Sequence, residues 1–149
     1  MGKFPSSFLI DTDIFIDYLN GVSTVKNFLD SPGHKIYYSM VTRKELLRKP
    51  GLSSIERGRI ERLLAKHRLI PVDNQIAEKF SQLLSPYTGQ GIRKADALIA
   101  ATAWVKKLPL VTRNIKHYQF INEIDLVKIS SSTSHQPQHL SNGRKPKVF

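Results

Sequence analysis

Between Gly91 and Val105 the chain reads GIRKADALIAATAWV, and from Ala95 to Val105 every residue is apolar except Asp96 and Thr102. An apolar run of that length without helix breakers predicts a helix buried on nearly all sides. It is too short to span a bilayer, which takes about 20 such residues. One carboxylate, Asp96, falls in its first turn, just after the basic pair Arg93–Lys94. Burying an acid is costly unless a cation or a hydrogen-bond donor meets it. The rest of the sequence has to supply that partner.

Read in order, Phe8-Leu9-Ile10 is a short apolar run that ends at Asp11, and Ile14, Phe15, Tyr18 and Leu19 follow at helical spacing. The pattern predicts strand, tight turn and helix, with Gly21 closing the helix. Ser23 is placed to cap a second short helix through Leu29, and Lys35–Val41 reads as a strand rich in aromatic and β-branched residues. Thr42–Glu45 and Ser53–Glu56 both have the capping-box pattern. Leu69–Val72 is a brief strand, and Asp73 caps a helix with Ile76, Ala77, Phe80, Leu83 and Leu84 on one face. After the central helix come a strand at Leu108–Thr112, a short helix or turn at Asn114–Phe120 and a last strand at Leu126–Ile129. Strands alternating with helices predict an α/β domain with a mainly parallel sheet.

The domain is expected to occupy residues 1–129. Residues 130–149 are rich in Ser, contain no acid and read as a flexible basic tail. The chain has no Cys, which removes disulfides, thiolate metal sites and a cysteine nucleophile and fits a reducing cytoplasm. The N-terminus lacks a secretory pattern and no membrane span is expected. Net charge is +11, and the tail contributes only Arg144, Lys145 and Lys147, so the folded part is about +8. A basic domain of this size favours polyanions such as RNA or DNA, and the plain alternative is a solvated basic surface.

In an open parallel sheet, functional groups gather beyond the carboxyl ends of the strands. Asp11 follows the first strand, Glu45 the second, and Thr112 and Asn114 the penultimate one, while Asp96 in the buried helix plausibly points to the same edge. Three carboxylates on one rim repel one another unless a cation joins them. An all-oxygen set suits Mg²⁺ or Mn²⁺, which polarises a phosphate and activates water for attack on a phosphodiester. Arg43 and Lys44, Arg93 and Lys94, and Arg113 and Lys116 flank the acidic motifs and are candidate substrate-backbone contacts. Each acid also has a plainer role: Asp13, more than Asp11, as a helix cap, Glu45 in a capping box with Thr42, and Asp96 on a helix dipole. His34 and His67 stand alone and read as surface residues. Pro137 lies between His135 and His139, so these two are not a helical metal pair.

FLIDTDIFIDYLNG, VTRKELL and ADALIAATAWVKKLPLVTRN, in this order, resemble the PIN-domain ribonucleases, and most of all the VapC-type toxins of toxin–antitoxin pairs. The resemblance covers about residues 8–129. It implies a three-layer α/β/α fold, Mg²⁺- or Mn²⁺-dependent endonucleolytic cleavage of RNA, a homodimer and a cognate antitoxin. By position it makes Asp11, Glu45 and Asp96 the central acids that hold the ion, and Thr112 the hydroxyl residue of the last motif. Relatives often carry a fourth acid at the position of Asn114 or His117, and this chain has none there, so one ion is expected to be held more firmly than a second. Two other readings stay open: a catalytically silent module that binds RNA or a protein through its basic surface, and a nuclease for flapped or single-stranded DNA.

Overall fold

The structure, a computed structural model, describes residues 6–87, 91–130 and 147–148. In chain order the first half holds β1 (Ser7–Ile10), α1 (Thr12–Leu19), α2 (Ser23–Asp30), β2 (Lys35–Ser39), α3 (Met40–Leu47) and α4 (Ser54–Ala65). The second half holds β3 (Arg68–Ile70), α5 (Asn74–Tyr87), α6 (Lys94–Lys106), β4 (Leu110–Val111), a 3₁₀ turn at Ile115–His117 and β5 (Leu126–Lys128). Lys147–Val148 form β6. The strands lie in the order β3-β2-β1-β4-β5-β6, and every pairing is parallel.

Alternation along each strand divides the core in two. Phe8 and Ile10 of β1, Ile36 and Tyr38 of β2, Val111 and Val127 face the layer made by α1 to α4. Leu9, Leu110 and Leu126 face the opposite layer, with Ile76 and Leu83 of α5 and Ile99 of α6. The middle strand is therefore covered on both faces, and Phe8, Leu9 and Ile10 are fully buried. Each such side chain contributes about 1.5–3 kcal/mol by leaving water. The result is the three-layer α/β/α fold with a parallel sheet that the sequence predicts.

The apolar run becomes α6, in which Asp96, Ala97 and Ile99 to Ala103 are buried. Its Ala residues leave room for α5 to pack against it, so no polar face is needed. Asp73 caps α5, accepting from Ile76 N at 2.9 Å, and Ser53 and Glu56 form the predicted capping box on α4.

The predicted box at Thr42–Glu45 does not form. Helix α3 starts earlier, at Met40, because the Ser39 hydroxyl accepts from Val41 N at 3.2 Å and already serves as its N-cap. Thr42 is inside that helix and buried. Ser23 likewise is the first residue of α2 rather than its cap. Neither His34 nor His67 is a surface residue. Both are half-buried: His34 packs on Phe8 and Phe28, and burial pushes the His67 imidazole below its usual range. Most of the predicted tail, His135 and His139 included, lies outside the described residues. Of the rest, Lys147 and Val148 pair with Val127 and Lys128 at the sheet edge. Among the described residues no helix is long and apolar enough to cross a membrane.

Candidate active site

The chain steps outward from β1 to β2 and β3, then returns to the other side of β1 as β4. A parallel sheet opens a crevice at such a reversal, beyond the carboxyl ends of the two strands. Asp11 follows β1 and Thr112 follows β4, and the two strands are locked side by side by a hydrogen bond from Asp11 N to the Val111 carbonyl at 2.9 Å. The Thr112 hydroxyl donates to Asp11 Oδ2 at 2.8 Å, and Thr12 N donates to Asp11 Oδ1 at 2.8 Å. Asp11, not Asp13, is thus the N-cap of α1.

Asp13 does something the sequence reading missed. Its Oδ2 accepts from Arg113 N at 3.0 Å and from Asn114 N at 3.1 Å, and lies 3.4 Å from the Thr112 hydroxyl, whose proton goes to Asp11. One carboxylate oxygen therefore fixes the turn that leaves β4. Its other oxygen, Oδ1, is buried without a hydrogen-bond partner among the described residues. Burial, and then the charge of Asp11, pushes the Asp13 carboxyl up to about 7. Burial also pushes Asp11 above the usual carboxylate range, against the hydrogen bonds that it receives.

Asp96 reaches the same crevice from the first turn of α6 and is 4% exposed. Its partners are now visible. Arg93 Nε donates to Oδ2 and Nη2 to Oδ1, both at 3.2 Å, and the Tyr118 hydroxyl donates to Oδ1 at 3.2 Å. The same hydroxyl interacts with Asp11, and burial among these acids pushes the phenol far above its usual range, so it stays a donor. His117 Nδ1 lies 3.5 Å from Asp96 Oδ2. Tyr118 was not singled out in the sequence, where it reads as one more aromatic; the signal available was that a buried Tyr needs a partner for its hydroxyl.

Glu45 is half-buried on α3, where the Thr12 hydroxyl donates to its Oε1 at 2.7 Å and lies 3.0 Å from the Thr42 hydroxyl, from which it can accept. The absence of a capping box leaves this carboxylate free to turn toward the β1 end. Asn114 is exposed and contributes through its backbone N–H, which donates to Asp13 and to the Thr112 hydroxyl.

The six flanking cations split into two groups. Arg43 forms a two-pronged pair with Glu61 at 3.1 Å, Arg93 holds Asp96, and Arg113 pairs with Asp17. Lys44, Lys94 and Lys116 are exposed and form no ion pair among the described residues.

Among the described residues no three His, Asp or Glu side chains stand together as a ready metal site. The donor chemistry nevertheless suits a hard divalent ion. Asp11 and Asp96 are buried in each other's field, with Arg93 the one guanidinium in contact with either among the described residues. Carboxylates so arranged gain from a further cation. Asp11 and Asp96 fit that role best, with Glu45 at the side of the crevice.

A PIN-domain family model matches residues 8–122. The chain belongs to the PIN-domain family. Among its relatives, ribonuclease VapC10 of Mycobacterium tuberculosis is 32% identical over 123 residues, which cover 78% of this chain and 89% of the relative. Ribonuclease VapC1 of Methanocaldococcus jannaschii is 30% identical over 127 residues, 83% of this chain and 88% of the relative. Among solved structures, a toxin–antitoxin complex from Klebsiella pneumoniae aligns with a TM-score of 0.66 at 28% identity, over 78% of this chain and 94% of the other.

Proposed function

We propose that this chain is a divalent-metal-dependent endoribonuclease acting as the toxin of a toxin–antitoxin pair. The observation that carries the reading is the meeting of Asp11 and Asp96, two buried acids from different elements, in the switch crevice of a chain whose relatives are VapC ribonucleases. Asp11, Asp96 and Glu45 would hold Mg²⁺ or Mn²⁺. Such an ion supplies Lewis-acid polarisation of the scissile phosphate and a more acidic water.

The chain's own groups set the stage. Thr112 and Tyr118 orient the carboxylates of Asp11 and Asp96, and Thr12 orients Glu45. Asp13 fixes the Thr112–Asn114 turn that carries one of those hydroxyls. Lys44, Lys94 and Lys116, with no acid partner among the described residues, attract the RNA backbone toward a rim whose acids repel it. For Arg93 to bind a phosphate it has to release Asp96, an exchange that a bound cation favours. A cognate antitoxin, a homodimer and a cytoplasmic location complete the reading. The antitoxin is supported by structural neighbours such as the Klebsiella pneumoniae toxin–antitoxin complex, and the dimer by the family resemblance.

The test compares wild type and Asp96→Asn on a structured RNA and its DNA counterpart, with Mg²⁺, Mn²⁺ or EDTA. Metal-dependent cleavage of the RNA by wild type alone is expected. Equal cleavage by both proteins, or cleavage that survives EDTA, overturns the assignment. One observation favours a catalytically silent RNA-binding module instead: Asp96 is already clasped by Arg93, and neither Asn114 nor His117 is acidic. Binding without turnover under all metal conditions would select that reading.

A further inference from the structure

We propose that the hollow between α1, α2 and α4 is a second RNA contact, which grips the backbone of the substrate strand away from the cleavage crevice. The proposal rests on the endoribonuclease reading and extends it to a site outside the rim. The hollow has a volume of about 310 Å³, and Lys26, Arg59, Arg62 and Lys66 line it together with Tyr18 and Leu63. None of its lining residues is acidic. All four cations are exposed, and none forms an ion pair with a described residue.

Among the described cations Arg43, Lys49, Arg93, Lys106 and Arg113 each have an acid within 4 Å, and what sets the hollow apart is that four unpaired cations share one concave surface. Four like charges around a concave surface repel one another and focus a positive potential into it. One lining residue touches an acid: Asp30 accepts from the Tyr18 hydroxyl at 2.7 Å but forms no ion pair with the four cations, so an anion from outside the chain would be the counter-charge. Two of the heads are also held in place. Arg59 Nη2 donates to the Leu19 carbonyl at the end of α1, at 2.7 Å, and Lys26 Nζ sits 5.3 Å from the centre of the Tyr18 ring.

The spread of the charges identifies a strand rather than a small anion. Arg59, Arg62 and Lys66 lie three and four residues apart, on one face of α4 and its C-cap. They cover a rise of about 10 Å, close to three phosphates at about 3.4 Å each along a stacked strand. The hollow also borders a second cavity of about 400 Å³, which shares Leu19 and Arg59 with it and is lined further along by Glu45, Glu56 and Lys49. A strand with one phosphate at the rim would pass Arg59 and the Lys49–Glu56 pair to reach the basic hollow.

The experiment measures binding of a fluorescein-labelled RNA hairpin with single-stranded flanks to the full chain carrying Asp96→Asn, so that nothing is cut. Salt is varied between 50 and 200 mM. A triple variant, Lys26→Gln with Arg62→Gln and Lys66→Gln, is compared with an equally charged control, Lys35→Gln with Lys79→Gln and Lys107→Gln. All six positions lie outside the buried core, and unchanged circular dichroism and melting confirm the fold. The hollow variant is expected to lower the salt slope by about 2, at about 0.7–0.9 per lost phosphate contact, and to weaken binding at 50 mM at least 10-fold. The control is expected to shift the slope by less than about 1. Equal losses in both triples would reduce the effect to net charge and overturn the proposal. An unchanged slope in the hollow variant would leave the surface to an acidic protein segment and overturn it as well. If the Asp96→Asn protein fails to bind any RNA, the endoribonuclease reading falls first; RNA bound without regard to the hollow removes this proposal alone.

Discussion

At the carboxyl edge of the sheet each acid has found a donor, whereas in the hollow between α1, α2 and α4 no cation has an acid partner among the described residues. Asp11, Asp13, Glu45 and Asp96 are met by hydroxyls, backbone N–H groups and one guanidinium. Lys26, Arg62 and Lys66 form no ion pair among the described residues. In the proposed reading the first region, stabilised from within, would take a cation, and the second, left open, would take an anion by charge. A metal-assisted ribonuclease would use both.

The largest effects should come from the rim. Asp11→Asn and Asp96→Asn are each expected to cut RNA cleavage by at least about 100-fold, the scale of losing one electrostatic contributor to a transition state. Asn caps a helix as well as Asp does, so Asp11→Asn should leave the melting temperature nearly unchanged. A large loss of stability there would move Asp11 from chemistry to scaffold.

Asp13 gives the sharper contrast, because it lies two residues from Asp11 and acts on backbone. Asp13→Ala should destabilise by about 1–3 kcal/mol, since the part-buried Arg113 N–H loses its acceptor and the Asn114 N–H keeps only the Thr112 hydroxyl. Asp13→Asn keeps an acceptor for the turn, gives the orphaned side an N–H and should retain cleavage within about 10-fold. Denaturant unfolding and initial rates measure both. Cleavage lost in Asp13→Asn with the fold intact would make Asp13 a ligand rather than a clamp.

Acidity probes the same pair. The Asp13 carboxyl titrates near 7 when folded and near 3.8 when unfolded, so between those values the folded state holds the extra proton. Stability then falls as pH rises from about 4 to about 7. Asp11, also raised by burial, adds a fall of the same sign. Thermal melting in EDTA should therefore decline over that window in wild type and decline less in Asp13→Asn. Identical profiles would contradict the burial cost assigned to Asp13. The smallest effect is expected at Arg43→Gln: loss of its partly exposed pair with Glu61 should cost under about 1 kcal/mol and leave RNA affinity unchanged. A marked loss of affinity would show that paired cations also serve the substrate.

The element order and the parallel sheet were legible because apolar alternation and the run at Ala95–Val105 depend on local sequence. Strands β2 to β5 came out shorter than predicted, β4 being two residues long, while β1 gained Ser7. Propensity marks Leu108–Thr112 as extended, but pairing with β1 and β5 ends the ladder sooner. Asp11 and Asp96 were legible at strand end and helix start. The role of Asp13 was not, since its partners lie about 100 residues away and are backbone groups without a sequence signature. Glu45 and Thr42 misled for the opposite reason: a local capping pattern was present, but Ser39 had already started the helix. The hollow escaped notice because α2 and α4 bring Lys26 to Arg62 and Lys66 only in three dimensions.

The account turns on whether the buried acids at the crevice hold a cation. Calorimetric titration of Mn²⁺ into wild type, Asp11→Asn, Asp96→Asn and Asp13→Asn tests this without any RNA present. Binding to wild type and to Asp13→Asn, with at least about 10-fold weaker binding to the other two, is the predicted result. Equal Mn²⁺ affinity in wild type and Asp96→Asn, or no binding at all, would contradict it.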